Sequence, residues 1–285
     1  MLQIVAATDF STRSQRALRR AGRLARQTAA ELTIVHVVDD DQPAAFVDLE
    51  RREAEKFMTE QIGSLAELRD LRCRVAVPTG EAFNGILETA KSVSADLIVM
   101  GSHRKHILRD IFVGTTVERV IRTGPHPVLM VNTDTELPYG YVIAGVDMSE
   151  PSAHAIKTAQ ALRLVDDDNL TVVHAFVAVA KGTLSVANAS KDQIDGYVAS
   201  ERLQAREELV SFLAAHDIRG RGWKNRIEEG DAYEVISNVV KETTPDLVVI
   251  GTHGRSGIVK MLIGSVAEEV LRSIDVDILV VPPVR

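Results

Sequence analysis

The chain has 285 residues, of which 45% are hydrophobic and only 4% aromatic, and its formal net charge is −7. This length suits about two domains with aliphatic cores, while the negative balance excludes a general nucleic-acid surface, which needs concentrated Lys and Arg. A single cysteine, Cys73, excludes a disulfide framework and a cysteine-built metal site within one chain.

Taken in order, the first half alternates short apolar runs with helical patterns. Ile4–Thr8 reads as a strand, followed by Asp9-Phe10-Ser11 and a helix over Thr12–Ala29. That helix carries Arg13, Arg16, Arg19, Arg20 and Arg23, expected to form a solvated face. Leu32–Val38 is a second strand, Ala44–Leu68 is helical, and Cys73–Val77 is a strand stopped by Pro78-Thr79-Gly80. A helix through Ile86, Leu87 and Ala90, a strand at Asp96–Met100, a helix at Thr115–Arg122 and a strand at Pro127–Val131 complete the half. Continuous apolar strands separated by helices imply a parallel sheet covered on both faces.

The second half repeats the order. Val142–Val146 leads to Asp147-Met148-Ser149, where Ser149 reads as an N-cap and Pro151 lies in the first helical turn. Leu170–Phe176, Arg221–Ile227, Asp246–Ile250 and Asp277–Val281 read as strands; Ile194–Ala215, Val235–Val240 and Ser265–Arg272 read as helices. The segment Val177–Gln193, rich in Ala, Gly and Ser, is expected to be a mobile connection. Asp, Thr, Pro and Gly cluster at Asn132–Gly140, which places domains at 1–136 and 137–285. The opening run is strand-like rather than a basic, apolar leader, and no apolar stretch approaches membrane-spanning length. A soluble, cytoplasmic protein that binds neither membrane nor nucleic acid is expected.

One motif occurs twice at a constant offset. Gly251-Thr252-His253-Gly254 is followed, nine residues on, by Gly264-Ser265; Gly101-Ser102-His103-Arg104 is followed in the same way by Gly114-Thr115. Each copy lies between an apolar run and a helix, where glycines let amides approach phosphates. Gly254 and Gly257 are expected to take positive φ and turn amides inward. Arg104 stands where the second half has Gly254, so the first copy is incomplete. Capping is an alternative account of the helix starts: Ser265–Glu268 and Thr115–Glu118 both have the pattern of a capping box. Asp147 and Asp9 follow first strands, at the carboxyl edge where ligands of open α/β sheets gather, although Asp also forms turns. His174 and His36 end apolar strands and read as partly buried residues. His253 and His103 lie in the loops, with no Ser or Asp arrangement for nucleophilic catalysis.

The pattern Gly-x2-Gly-x9-Gly-(Ser/Thr), with Asp after the first strand and His in the second, resembles the universal stress protein family. The likeness covers almost the whole chain as two tandem domains. It implies an α/β fold with two five-stranded, parallel, doubly wound Rossmann-like domains paired through their last strands, Val128–Val131 against Ile278–Val281, as a pseudo-dimer. It leaves homodimerisation of two chains open. It further implies ATP binding. By matching positions, Asp147 and Ala175 would line an adenine pocket and Gly251 would lie beside the ribose. Gly254, Gly264, Ser265 and Val266 would hold phosphates, with His253 in the same loop. In the first half the weaker candidates are Asp9, Val37, Gly101, Gly114, Thr115 and Thr116. Mg²⁺ would arrive with ATP, held more by phosphates than by protein.

No catalytic residue or protein-built metal site is assigned. The expected function is an ATP-binding stress sensor or regulator, with nucleotide mainly in the C-terminal domain, slow hydrolysis at most, and unidentified regulatory protein partners. The competing expectations are an interaction scaffold with degenerate pockets, a small-molecule binder, and a nucleotidyl-transferring enzyme.

Overall fold

The computed structural model describes residues 1–102, 114–134, 136–254 and 263–284. In the first half these form β1 (Gln3–Ala7), α1 (Thr12–Thr28), β2 (Glu31–Val35), α2 (Ala44–Ser64), β3 (Cys73–Ala76), α3 (Ala82–Ser92), β4 (Leu97–Gly101), α4 (Thr116–Thr123) and β5 (Val128–Val131). The second half contains β6 (Val142–Gly145), α5 (Glu150–Ala161), β7 (Leu170–Phe176), α6 (Lys181–Val186), α7 (Lys191–Ala215), β8 (Lys224–Glu229), α8 (Ala232–Thr243), β9 (Leu247–Gly251), α9 (Ser265–Ser273) and β10 (Asp277–Val281).

The described strands join one sheet in the order β3-β2-β1-β4-β5-β10-β9-β6-β7-β8. Each half is parallel within itself, and the two meet where β5 and β10 pair antiparallel, with Met130 opposite Ile278, Leu129 opposite Leu279 and Val128 opposite Val280. Because successive strand side chains point to opposite faces, these two strands feed two cores. Leu129, Val131, Leu279 and Val281 join one, and Val128, Met130, Ile278 and Val280 the other. Every one of these eight is buried, so the pairing of last strands is continuous core rather than a surface contact.

Local sequence explains the helix boundaries. Ser11 caps α1 by accepting from Ser14 N, and Ala29 ends it in the left-handed conformation at φ 54°. Ser149 caps α5 from Ser152 N, with Pro151 in the first turn, as its sequence suggests. The segment expected to be a mobile connection instead contains α6. The Ala180 amide donates to Tyr197 Oη at 3.2 Å, and Lys181 pairs with Glu229 at 2.8 Å. Helix α7 starts three residues earlier than its apolar pattern suggests, because Ser190 and Gln193 form a full capping box.

The arginines of α1 are not a solvated face. Arg20 is 2% exposed, and Arg13, Arg16, Arg19 and Arg23 are only partly exposed. Arg16 Nη1 donates to Asn132 O at 2.8 Å, and Arg23 pairs with Glu67 at 2.7 Å. Arg20 Nε lies 3.3 Å from Asp277 Oδ2, on β10 of the other half, and its guanidinium stacks on Tyr139 at 4.4 Å. Asp277 is fully buried. It also accepts from Tyr139 Oη at 2.8 Å and from the amides of Asn132 and Thr133 at 2.9 Å. Burial, and then the Asp277 charge, push the Tyr139 phenol well above its ordinary pKa, so it stays a donor. Linker, α1 and β10 are thereby clasped together by one carboxylate.

Candidate functional site

A cleft of about 330 Å³ opens at the carboxyl ends of β6 and β9. The turn after β6 places Asp147 there. Ser149 donates to Asp147 Oδ1 from its amide at 3.1 Å and from its hydroxyl at 2.5 Å, which fixes that oxygen. The other oxygen faces Gly254: a Cβ placed on Gly254 would stand 2.5 Å from Asp147 Oδ2. This corrects the expected reason for the glycine. Among the described glycines, positive φ occurs at Gly80, Gly114 and Gly230, not at Gly254. Position 254 requires the absence of a side chain beside a pinned carboxylate, rather than a left-handed backbone. Gly257, Arg255 and Lys260 lie outside the described residues, as do His103, Arg104, Lys105, His106 and Arg109.

Gly251 also permits a close approach, to its own fold. A Cβ there would lie 3.2 Å from Pro151 O, so the glycine lets the first turn of α5 pack onto the end of β9. Gly101 plays the same part more tightly, at 2.7 Å from Arg13 C and O. Beyond Gly251, the Thr252 amide donates to Val281 O at 2.9 Å, and Thr252 O accepts from Gly264 N at 2.8 Å. That bond brings the start of α9 back against β9. It also occupies the Gly264 amide, so any anion here would meet the amides of Ser265, Val266 and Ala267 instead. His253 Nδ1 lies 2.8 Å from Thr252 Oγ1.

The start of α9 resolves the capping question for this half. The N-cap is Gly264, which has no side chain to accept from the helix, and Ser265 is the first helical residue. The expected Ser265–Glu268 capping box is therefore absent. First-turn amides carry partial positive charge and have no intrahelical acceptor. The rest of the cleft lining is largely apolar and includes Val146, Val173, Val235, Ile236 and Ile250. All eight candidates of the second half lie around this cleft: Asp147, Ala175, Gly251, His253, Gly254, Gly264, Ser265 and Val266. Val235 and Ile236, read in sequence only as helical, also line the cleft, as their one-turn spacing from Ala232 on a sheet-facing helix side allows.

The first half has an equivalent but smaller cleft, about 220 Å³. Asp9, Val37, Gly101, Thr115 and Thr116 line it; Gly114 does not. Here the helix start is partly occupied by its own side chains. Thr115 is a true N-cap, accepting from Glu118 N at 3.1 Å, while the Glu118 carboxylate accepts from Gly114 N at 3.0 Å and pairs with Arg122. Gly114 takes φ +86°, unlike Gly264 at −62°. Arg13 lies 3.8 Å from Asp9 Oδ2. Burial raises the Asp9 carboxyl pKa, but hydrogen bonds from Ser11 and Ser14, with the Arg13 charge, outweigh it and hold the group below its ordinary value.

The strand-end histidines serve structure. His174 Nδ1 lies 2.7 Å from Val146 O, and His36 Nδ1 lies 2.9 Å from Thr8 O. A carbonyl only accepts, so Nδ1 carries the proton in both. Among the described residues, no group of three or more His, Cys, Asp or Glu could hold a metal, and no helix is long and apolar enough to cross a membrane.

Comparison with known proteins places this geometry in context. The model of the Universal stress protein family matches residues 1–132 and again 138–282. Universal stress protein E of Escherichia coli K12 is 24% identical over 206 residues, 70% of this chain but 65% of the relative, so the chain spans less than two thirds of that relative's length. A universal stress protein of Mycolicibacterium smegmatis is 24% identical over 303 residues, covering 98% of this chain and 97% of the relative. The crystal structure of a universal stress protein from Archaeoglobus fulgidus is similar at a TM-score of 0.71 and 19% identity, with 98% of each chain covered, which is a likeness of fold.

Proposed function

The chain belongs to the universal stress protein family, and from that footing we propose that it binds ATP in the cleft of its second half. The carrying observation is the start of α9, where Gly264 leaves the first-turn amides without a side-chain cap at the mouth of an apolar cleft. An adenine ring suits the apolar lining of Val173, Val235, Ile236 and Ile250. The triphosphate suits the amides of Ser265, Val266 and Ala267, an N-terminal anion position contributing about 0.3–2 kcal/mol. Asp147, pinned by Ser149, supplies a carboxylate oxygen that can accept from a nucleotide N–H or O–H.

The same set favours binding over turnover. The described loop residues supply amides, hydroxyls and one imidazole, that of His253, whose Nδ1 is engaged by Thr252 Oγ1. Mg²⁺ enters with the nucleotide, through the phosphates. The protein then acts in a stress response as a nucleotide-dependent regulator, its output delivered to protein partners. Calorimetric titration of the full chain with MgATP tests this. Saturable binding is expected; no heat of binding up to about 5 mM, the low-affinity end of useful recognition, would refute it.

A further inference from the structure

The smaller cleft of the first half, about 220 Å³, is not a reduced copy of the second. Thr8, Arg13 and Thr116 line it, where the second half has Val146, Pro151 and Val266 at the matching positions. Two of these exchanges add a hydroxyl and one adds a guanidinium. Capping by Thr115 and the smaller volume also set this cleft apart from one that takes a triphosphate.

Arg13 and Asp9 are the informative pair. Both line the cleft, and their side chains are 26% and 65% exposed, so a ligand can reach each of them. They face each other at 3.8 Å, beyond hydrogen-bonding distance. Asp9 Oδ1 is fixed by the Ser11 amide at 3.0 Å and hydroxyl at 2.5 Å, which leaves Oδ2 turned to Arg13. Arg13 makes no hydrogen bond among the described residues, so its guanidinium donors remain available to a carboxylate. A simple anion here meets the Asp9 charge, and a simple cation meets the Arg13 charge. A ligand with both signs on adjacent groups is attracted by each. The amides of Thr116 and Val117, in the first turn of α4, belong to the same lining and have no intrahelical acceptor, which adds donors for a carboxylate. Val35, Val37, Ile86 and Met100 make much of the remaining lining apolar.

We propose that the first cleft binds a small zwitterion, an α-amino acid with an apolar side chain. Its ammonium group donates to Asp9 Oδ2, and its carboxylate accepts from Arg13 and the α4 amides. Its side chain lies against Val35, Val37, Ile86 and Met100. The two halves then hold ligands of different chemistry. This site is independent of the ATP cleft, and neither reading needs the other.

The test is calorimetry and thermal unfolding of the full chain with L-leucine and L-methionine. Each is compared with 4-methylpentanoate, which lacks the ammonium group, and 3-methylbutylamine, which lacks the carboxylate. At least one amino acid is expected to bind saturably and raise the Tm. Both single-charge analogues are expected to bind about tenfold or more weakly, a difference of about 1.4 kcal/mol. Asp9→Asn keeps an acceptor for Ser11 but removes the charge, and Arg13→Gln removes the guanidinium; each is expected to weaken the amino acid by a similar factor. Gly254→Arg, in the other cleft, is expected to bind it like wild type, and MgATP is expected not to displace it. No saturable binding of either amino acid up to about 5 mM, analogues that bind equally well, affinity unchanged in both first-cleft variants, or displacement by MgATP would each overturn the proposal.

Discussion

The two halves share strand order, helix placement and a cleft at the same edge of the sheet, yet they treat the last helix of that cleft oppositely. In the first half Thr115 caps α4, and Glu118 takes the Gly114 amide. In the second, Gly264 leaves α9 uncapped, and Gly254 leaves room beside Asp147. A duplicated fold thus keeps its strand order, while the backbone at Gly114 and Gly264 and a few side chains decide how far a helix start is satisfied internally. The asymmetry extends to the seam, where Asp277 opens β10 and Pro127 precedes β5 at the matching position.

The largest expected effect concerns that seam. Asp277→Ala leaves the Arg20 charge buried and removes the acceptor of Tyr139, Asn132 and Thr133. We predict a loss of about 3–5 kcal/mol in denaturant unfolding, the range for breaking a buried pair from one side. Pro127→Ala, at the matching position, tests whether the clasp is one-sided; a loss below about 1 kcal/mol is predicted, as for sites outside any named network. Equal losses would mean the seam is held by strand pairing alone.

Next comes Gly254→Arg, which gives the second half the residue that the first carries at position 104. Its Cβ would stand 2.5 Å from Asp147 Oδ2, while Ser149 resists movement of that carboxylate. ATP affinity is predicted to fall by about a hundredfold, or about 2.7 kcal/mol. Retained affinity would remove Gly254 from the account.

The caps give a finer contrast. Thr115→Ala should cost about 1 kcal/mol of stability, the usual value of an N-cap. Ser265→Ala, at the first helical residue rather than the cap, should stay within about 0.5 kcal/mol yet weaken ATP measurably. Equal stability losses in urea unfolding would show that α9 is capped after all.

The smallest effect is a pH dependence confined to the second half. His216 Nε2 lies 2.8 Å from Glu150 Oε1, and its Nδ1 lies 2.8 Å from Phe212 O, so the ring donates twice and is favoured as imidazolium. The hydrogen bond to Glu150, then that to Phe212 O, raises its pKa above 6.5. A raised folded pKa means the contribution is complete below pH 6.5 and is lost as pH rises through the folded value. Glu150 is largely exposed, so the contribution is small. Unfolding of Glu150→Gln should match wild type above this window and be slightly less stable below it; a difference at alkaline pH only would contradict the pairing.

Much of this architecture was legible in sequence because the strands are short β-branched runs and the helices carry their own caps. Ser11 and Ser149 announce α1 and α5 directly. The Ser190–Gln193 box was equally local but lay inside a segment judged by its small residues. The fate of Arg20 could not be read, since its partner Asp277 is on the far side of the chain and only the folded seam joins them. The site shows the same limit. The glycine spacing located the cleft, but why Gly254 must lack a side chain depends on Asp147, over a hundred positions away. Likewise Thr115 and Ser265 share a motif position, and only the structure separates a cap from a first-turn residue.

The decisive measurement is equilibrium dialysis of labelled ATP against the wild type and Gly254→Arg, read as nucleotide bound per chain at a concentration that saturates the wild type. At a free ATP concentration about tenfold above the wild-type Kd, close to one ATP per wild-type chain and about a tenth of that on the variant is the predicted result. Two per wild-type chain, or one retained after the substitution, would contradict the assignment of the nucleotide to the second cleft.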